Sequence, residues 1–294
     1  ILAQAFCFLC DAHYMLLSLL FSCVAWISRG ASDDGVCRRS AVVSSEDVQQ
    51  FRDEGYALVS GLFNSAEIKS LQRGCDDIVK KAGFEAAWQG HWPKDSNLRR
   101  GKVLAVHAPH EKRGGSIFAK LLGHPKLHAA FAAFMGTDAV MLHHVKIHAK
   151  PGLTGSGFPM HQDYRYFPFQ NDTMIAAFLH LDDANKENGG LSIIPRSHIS
   201  GVLPEAQEPR SGYHYLPPKG YPIEEGIEVK AKAGDVCFFS YLTVHGSYPN
   251  LSPQQRRMVL IQTYDSTDTA LDEEHVNHRI LLSDFATDSS RCLE

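Results

Sequence analysis

The sequence lacks the excess of basic residues that is typical of nucleic-acid-binding domains. Its 294 residues contain 29 lysines and arginines against 33 aspartates and glutamates, which gives a formal net charge of -4. The sequence has no basic run and no basic patch interleaved with aromatic residues. We therefore predict no nucleic-acid partner and expect a small-molecule substrate, and no feature of the sequence predicts a protein partner.

Cysteine is scarce where a disulfide framework would need it. Three of the seven cysteines lie in the first 28 residues, and the other four are widely dispersed at Cys37, Cys75, Cys237 and Cys292. This spacing matches neither a disulfide scaffold nor a zinc ribbon, so we expect reduced, buried thiols. Internal repeats and low-complexity segments are also absent.

Charge is nearly absent from the amino-terminal segment, residues 1–29. Its first 28 residues carry one formal charge, Asp11, and a largely apolar stretch runs from Met15 to Ile27. Thirteen residues are short for a bilayer span of roughly 20 residues. A signal peptide, a membrane anchor and an artefact of gene prediction all stay open, and any membrane contact would run through this segment. The compartment is therefore open, with an intracellular catalytic core as the first expectation.

Helical patterns dominate the chain before residue 139. Ser44 to Gly55 and Asn64 to Gly83 each begin with a capping residue and end with glycine, and Tyr56 to Phe63 between them is strand-like. His124 to Gly136 predicts a further helix. Ala86 to Lys102 is polar and poorly periodic, which predicts a long loop.

Short strand-like runs follow from Ala139 onward, separated by glycine, proline, asparagine and aspartate. They are AVMLHHVKIHA, FPMHQDYRYFPF, TMIAAFLHL, GGLSIIP, IEVKA, DVCFFSYL and RRMVLIQTYD. Many short strands without alternating helices predict an antiparallel sandwich or jelly roll. We predict a mainly β fold with flanking helices over residues 44–265, and a surface or partly disordered tail over residues 266–294.

The run FPMHQDYRYFPF, residues 158–169, combines metal-ligand residue types with aromatic ones. On a strand, residues two apart face the same side, so His161 and Asp163 would point to one place. Arg165 would share that face and could bind an anionic substrate group. The alternative is that Arg165 is a rim residue that contacts nothing reactive.

His245 is the best candidate for a third ligand. It lies 82 residues after Asp163, after an apolar strand and before a Gly-Ser turn. Two histidines and one carboxylate form the facial set that holds Fe(II) and leaves three positions open. The alternative is that His245 is a capped or solvent-facing residue at the end of its strand.

Arginine occurs twice at the start of the strand RRMVLIQTYD. Alternation would direct either Arg256 or Arg257 into the interior, where a guanidinium needs a carboxylate partner. A dicarboxylate cosubstrate that chelates the metal at one end would supply this partner at the other. The alternative is that both arginines lie on an edge.

Four features together resemble the phytanoyl-CoA dioxygenase family of Fe(II)- and 2-oxoglutarate-dependent oxygenases. They are HQDYRYFPF, LDDANKENGGLSIIPRSH, AGDVCFFSYLTVHGS and an arginine eleven residues after His245, and they occur in this order. The resemblance covers about Ser44 to Tyr264. It implies a double-stranded β-helix, a cupin-like jelly roll, with iron held by His161, Asp163 and His245.

The resemblance also implies a cosubstrate site. The keto-acid end of 2-oxoglutarate would chelate the iron, and Arg256, assisted by Ser247, would bind the far carboxylate. Lys102 resembles a lysine that some members use to bind the cosubstrate, but it could equally be a solvated loop residue.

The implied reaction is hydroxylation of an aliphatic C–H bond of a small organic or acyl substrate by dioxygen, with decarboxylation of 2-oxoglutarate to succinate and CO2. Asp163 argues against halogenation, because halogenating relatives have a small residue at the position of this carboxylate. Arg196 replaces a glycine of many members. Two alternatives stay open: a non-catalytic jelly-roll metal- or small-molecule-binding protein derived from this family, and a zinc site, which leaves Arg256 unexplained.

Overall fold

The computed structural model describes residues 42–82, 85–89, 102–206, 214–271, 280–287 and 293. The amino-terminal segment, residues 1–29, lies outside the described residues, and its assignment stays a prediction. Within the described ranges, no helix combines the length and the apolar character that a membrane span requires.

The α-helices of the described residues begin and end at the signals that the sequence contains. They are α1 Ser45–Glu54, α2 Ser65–Ala82, α3 Ser116–Leu122 and α4 Pro125–Met135. A capping box between Ser44 and Asp47 starts α1, and Gly55 ends it in the left-handed conformation with φ 80°. The Asn64 side chain accepts the backbone N–H of Glu67 at the start of α2.

Short antiparallel strands make up most of the remaining regular structure. In chain order they are β1 Tyr56–Val59, β2 Glu85–Gln89, β3 Lys102–His107, β4 Val140–Lys150, β5 Phe158–His161, β6 Ile175–His180, β7 Leu191–Ile193, β8 Ile227–Val229, β9 Val236–Ser240, β10 His245–Ser247, β11 Arg256–Asp265 and β12 Ile280–Leu281. They form a large sheet in the order β1-β9-β6-β11-β4-β3-β2, with β12 beside β4, and a small sheet in the order β5-β10-β7-β8. This two-sheet arrangement confirms the predicted jelly roll.

The two faces of the large sheet differ in chemistry because side chains alternate along each strand. On β4, Val145 and Ile147 belong to the apolar core that also contains residues of α2, α3 and α4. Lys146, His148 and Lys150 point the other way and line a cavity that residues of the small sheet close from the opposite side. One face of the sheet therefore stabilises the fold, and the other carries polar groups.

The predicted strand over residues 158–169 is wrong in its second half. The strand β5 ends at His161, and a 3-10 helix covers Asp163–Arg165. The backbone N–H groups of Tyr166 and Phe167 bond to the carbonyls of Asp163 and Tyr164, so the chain turns where the alternation predicted extension.

Two further predictions need correction. The predicted loop from Ala86 to Lys102 contains most of β2, and its centre, residues 90–101, lies outside the described residues. The tail is not confined to the surface: β12 pairs with β4, and Leu282 and Leu293 are fully buried in the core. Apolar residues that are too sparse to form a periodic pattern nevertheless fill gaps in that core.

Candidate active site

His161, Asp163 and His245 converge at one point between the sheets. His161 is the last residue of β5 and His245 the first of β10, and the two lie directly opposite each other in the antiparallel register. The Oδ1 atom of Asp163 lies 3.6 Å from Nε2 of His161 and 3.8 Å from Nε2 of His245. The three ligand atoms all lie within 4.8 Å of one another.

Backbone hydrogen bonds orient both imidazoles. The Nδ1 atom of His161 contacts the carbonyl of Pro159 at 2.9 Å, and that of His245 contacts the carbonyl of Thr243 at 3.0 Å. A carbonyl can only accept, so each Nδ1 carries the proton and each Nε2 presents a lone pair to the centre. In each case the accepting carbonyl belongs to the residue two positions before the histidine, so the local backbone orients the ring.

Gln262 on β11 fixes the carboxylate of Asp163. Its side-chain N–H group donates to Oδ2 of Asp163 at 2.5 Å, which leaves Oδ1 facing the two histidines. Gln262 itself is 1% exposed. A buried neutral donor of this kind holds the carboxylate without neutralising it.

Burial and neighbouring charges shift the pKa values of His245 and Asp163. Burial, and then the adjacent His161, lower the pKa of His245 to about 4, so His245 is neutral at pH 7. Burial alone would raise the pKa of Asp163, but His245 and His161 outweigh burial and the pKa lies below its usual value. Imidazole lone pairs and one carboxylate are the donor set that Fe(II) accepts, so the residues present fit this metal.

A cavity of about 160 Å³ extends from these three residues. This volume is roughly ten times what one buried water needs, so a small organic molecule can enter. Its apolar walls come from the large and the small sheets and include Phe158, Phe167, Phe178, Leu191, Met258 and Leu260.

Arg256 and Lys150 form a cationic end of the cavity, and both are buried, with 1% and 2% exposure. The Lys150 ammonium donates to the Ser247 hydroxyl at 2.7 Å and to the Tyr248 carbonyl at 2.5 Å. Arg256 donates from Nη2 to the Gly189 carbonyl, while its Nε and Nη1 atoms have no partner among the described residues. Two buried cations without a carboxylate indicate a site for an anionic ligand.

The first glycine of the Gly-Gly pair in the sequence, Gly189, is required by its backbone conformation and its close neighbours. Its φ is +90°, and a Cβ added there would lie 2.7 Å from Cδ of Lys150 and 3.0 Å from the Tyr248 carbonyl oxygen. Only glycine therefore lets this backbone carbonyl approach Arg256 beside the lysine.

The structure shows which of the two arginines faces the cavity, a choice that the sequence left open. Arg256 faces the cavity, whereas Arg257 points to the opposite face and binds Asp182 through Nε at 3.0 Å and Nη2 at 2.9 Å. Arg257 also contacts Asp76 at 2.8 Å. Its charge is therefore already balanced.

Other predicted residues lie elsewhere. Arg165 donates to the Leu203 carbonyl at 2.7 Å and lies 3.5 Å from Glu205, and it is not among the cavity-lining residues. Its predicted place beside Asp163 is wrong because the 3-10 helix breaks the alternation, and Tyr166 lines the cavity instead. The Lys102 side chain lies outside the described part of the structure. His198 contacts the Arg52 carbonyl and is not among the cavity-lining residues.

Sequence reasoning missed the polar residues of β4 and Gln262. The segment HVKIHAK alternates polar and apolar residues, and this signal was available because Lys146, His148 and Lys150 recur at every second position. For Gln262 no local signal exists, since its partner lies 99 residues earlier.

The chain is similar to known dioxygenases over most of its length. The sequence model of the family described as Phytanoyl-CoA dioxygenase (PhyH) matches residues 51–258. An ectoine dioxygenase of Bordetella bronchiseptica is 25% identical over 246 residues, which cover 78% of this chain and 77% of that protein. Phytanoyl-CoA dioxygenase 1 of Oryza sativa subsp. japonica is 25% identical over 234 residues, with coverages of 76% and 82%.

Solved structures share the fold. The epimerase SnoN, crystallised with Fe3+, alpha ketoglutarate and nogalamycin RO, superimposes with a TM-score of 0.63 at 20% identity, covering 76% of this chain and 84% of that one. EctD from S. alaskensis, crystallised with 2-oxoglutarate and 5-hydroxyectoine, gives 0.57 at 18% identity, covering 78% of each chain. The predicted family, fold class and cofactors are confirmed. The chain belongs to the phytanoyl-CoA dioxygenase family and is an Fe(II)- and 2-oxoglutarate-dependent dioxygenase.

Proposed function

We propose that this dioxygenase hydroxylates an aliphatic C–H bond of a small organic or acyl substrate, with decarboxylation of 2-oxoglutarate to succinate and CO2. The observation that carries the proposal is the convergence of His161, Asp163 and His245 in the same cavity as the buried cations Lys150 and Arg256. A non-catalytic metal-binding protein would need the three metal-ligand residues but not the two buried cations.

His161, Asp163 and His245 would hold Fe(II). When bound, the metal activates dioxygen with 2-oxoglutarate as the source of two electrons. His245 stays neutral, both imidazoles direct Nε2 toward the centre, and the Gln262 hydrogen bond would keep the second carboxylate oxygen of Asp163 from binding the metal. Three protein donors leave positions for the cosubstrate and dioxygen.

Arg256 and Lys150 would bind the far carboxylate of 2-oxoglutarate. The two unpartnered guanidinium atoms of Arg256 provide donors, and Lys150 adds a second charge. Ser247, whose hydroxyl already accepts from Lys150, can turn its own proton toward the same carboxylate. This arrangement adds Lys150 to the residues predicted from the sequence.

Apolar side chains between the two polar ends would exclude water. Met258 and Leu260 follow Arg256 at alternate positions of β11 and face the same cavity as Phe178. A dry wall strengthens the contacts of the carboxylates with Arg256 and Lys150, because the local dielectric constant is low.

The test is an anaerobic titration of the purified chain with Fe(II) and 2-oxoglutarate, followed by exposure to air and measurement of succinate. We expect a charge-transfer absorption band and slow succinate formation even without the primary substrate. Asp163→Ala and His245→Ala should each abolish iron binding or turnover, whereas His128→Ala, at a half-buried histidine of α4, should behave as wild type. A wild-type chain with neither band nor succinate would contradict the proposal.

A further inference from the structure

Lys146 places a third cation in the cavity, apart from Arg256 and Lys150. It lies on β4 opposite Leu260 of β11, and its side chain lines the cavity. Its ammonium lies 5.9 Å from the centre of the Phe167 ring, forms no hydrogen bond or close ion pair within the described ranges, and interacts electrostatically with Asp163. Because Asp163 would bind the metal, the cavity-facing ammonium beside it can bind a further anion.

The position of Lys146 separates it from the cosubstrate end. Lys146 lies four positions before Lys150 on β4, so their Cα atoms are about 13 Å apart along the strand. Leu260, opposite Lys146, lies two residues from Gln262 and four from Arg256. Lys146 is therefore on the Asp163 side of the cavity, while Arg256 and Lys150 are on the other.

The charge balance of the cavity also leaves room for a second anion. Among the described residues that line it, three are basic, Lys146, Lys150 and Arg256, and one is a carboxylate, Asp163. Bound Fe(II) and the 2-oxoglutarate dianion have opposite and equal charges, so binding both does not remove the excess of positive charge. A neutral substrate would leave this excess uncompensated in a low-dielectric site.

Two histidines lie beside Lys146 in the cavity lining. His107 of β3 lies directly opposite Lys146 in the antiparallel register, and His148 lies two residues further along β4 on the same face. Burial, and then the charge of Lys146, lowers the pKa of His148 well below its ordinary value, so His148 is neutral. A neutral imidazole can donate one N–H group to an oxyanion beside the ammonium.

We propose that the primary substrate is an organic anion whose carboxylate or phosphate group binds to Lys146, with His148 as an additional donor. The carbon chain of the substrate then lies against Phe167 and Tyr166, which line the same part of the cavity. This inference rests on the proposed function, because it needs the cosubstrate at the opposite end.

The test compares matched pairs of ligands on the chain loaded anaerobically with Fe(II) and 2-oxoglutarate. Hexanoate against hexanamide tests a carboxylate, and hexyl phosphate against hexanol tests a phosphate, each by isothermal titration calorimetry. We expect one anion to bind about tenfold or more tightly than its neutral partner. In Lys146→Met and Lys146→Gln this preference should disappear, in Lys146→Arg it should persist, and in the control Lys69→Met, at an exposed lysine of α2, it should be unchanged.

The affinity of the same variants for 2-oxoglutarate separates the two proposals. If Lys146→Met weakens 2-oxoglutarate binding as strongly as Arg256→Gln does, Lys146 belongs to the cosubstrate site and the inference is overturned. Equal binding of the anionic and neutral ligands by the wild type also overturns it. Failure of the proposed function would instead appear in the wild type as absent binding of Fe(II) and 2-oxoglutarate before any hexyl ligand is added.

Discussion

Lys150 and Arg256 lie directly opposite each other on the neighbouring antiparallel strands β4 and β11, with both cationic side chains buried. Burial, and then the charge of Arg256, lowers the pKa of Lys150 well below its ordinary value. Burial also lowers the pKa of Arg256 to about 10. Two buried cations repel each other unless an anion lies between them. The pair therefore favours the binding of an anionic ligand and does not stabilise the fold in its absence.

Loss of either cation should weaken 2-oxoglutarate binding. We expect Arg256→Gln and Lys150→Met each to raise the Kd of 2-oxoglutarate about 10- to 100-fold, since each removes a charge-assisted hydrogen bond in a buried site. Calorimetry under anaerobic conditions measures this Kd, and Fe(II) affinity without cosubstrate should be unchanged. Arg257→Gln is the matched control, because Arg257 binds Asp182 on the other face. Unchanged Kd values in both cavity variants would assign the carboxylate to another residue.

Gln262 should control iron affinity through Asp163. In Gln262→Leu the carboxylate loses its 2.5 Å hydrogen bond and can rotate, so we expect Fe(II) affinity or turnover to fall about 10- to 100-fold. An Fe(II) titration with a competing chelator measures the change. Thr263→Val, at the next residue of β11 and on its opposite face, should leave Fe(II) affinity unchanged. Equal affinities in Gln262→Leu and wild type would show that Asp163 needs no support.

His180 should make the fold sensitive to acid. Burial, and then the charge of Arg256, lowers the pKa of His180 to about 3, and neither ring nitrogen has a partner among the described residues. Below pH 6.5 the unfolded chain binds a proton that the folded chain does not bind until about pH 3. The contribution of His180 to the free energy of unfolding is therefore full above pH 6.5. It falls by about 1.4 kcal/mol for each pH unit below that value.

Urea unfolding at pH 7, 6 and 5 measures this effect. The fall in the free energy of unfolding between pH 6 and 5 should be smaller in His180→Leu than in wild type, by up to about 1.4 kcal/mol. His128→Leu, on α4, serves as the control. A pH dependence identical in His180→Leu and wild type would mean that His180 is protonated in the folded chain.

Cys75 and Cys237 should resist alkylation in the folded chain. Burial raises the pKa of each thiol to about 12, so the reactive thiolate is nearly absent at pH 8. Mass spectrometry of peptides after iodoacetamide treatment should find both residues unmodified under native conditions and modified in urea. Rapid native modification of Cys237 would show that the sheet around it opens.

Local signals in the sequence predicted several elements well. The boundaries of α1 follow from the Ser44 capping box and Gly55, which act within one helical turn. The strands β4, β6, β9 and β11 follow from alternation and apolar runs. The turn after His161 was not predicted, because its backbone hydrogen bonds compete with strand pairing and leave no distinct pattern in an aromatic run.

The candidate site was predicted only in part, because the sequence pattern does not show the turn after His161. His161, Asp163 and His245 could be chosen by residue type and spacing, although the geometry that joins the first two is a turn and not a strand. Arg165 was misplaced because its predicted position depended on that strand. Lys146 and Lys150 went unnoticed, although the alternation of β4 placed them on one face.

The sequence by itself determined the fold class, the family and the residue types of the candidate iron site, since periodicity, caps and motif order are properties of the chain alone. Only the tertiary structure decided that Lys150 faces Arg256, that Gln262 binds Asp163, and that Lys146 faces the cavity. The physical reason is that alternation fixes which side chains share a face of a strand. It does not fix which strands become neighbours, and contacts between distant residues depend on that choice.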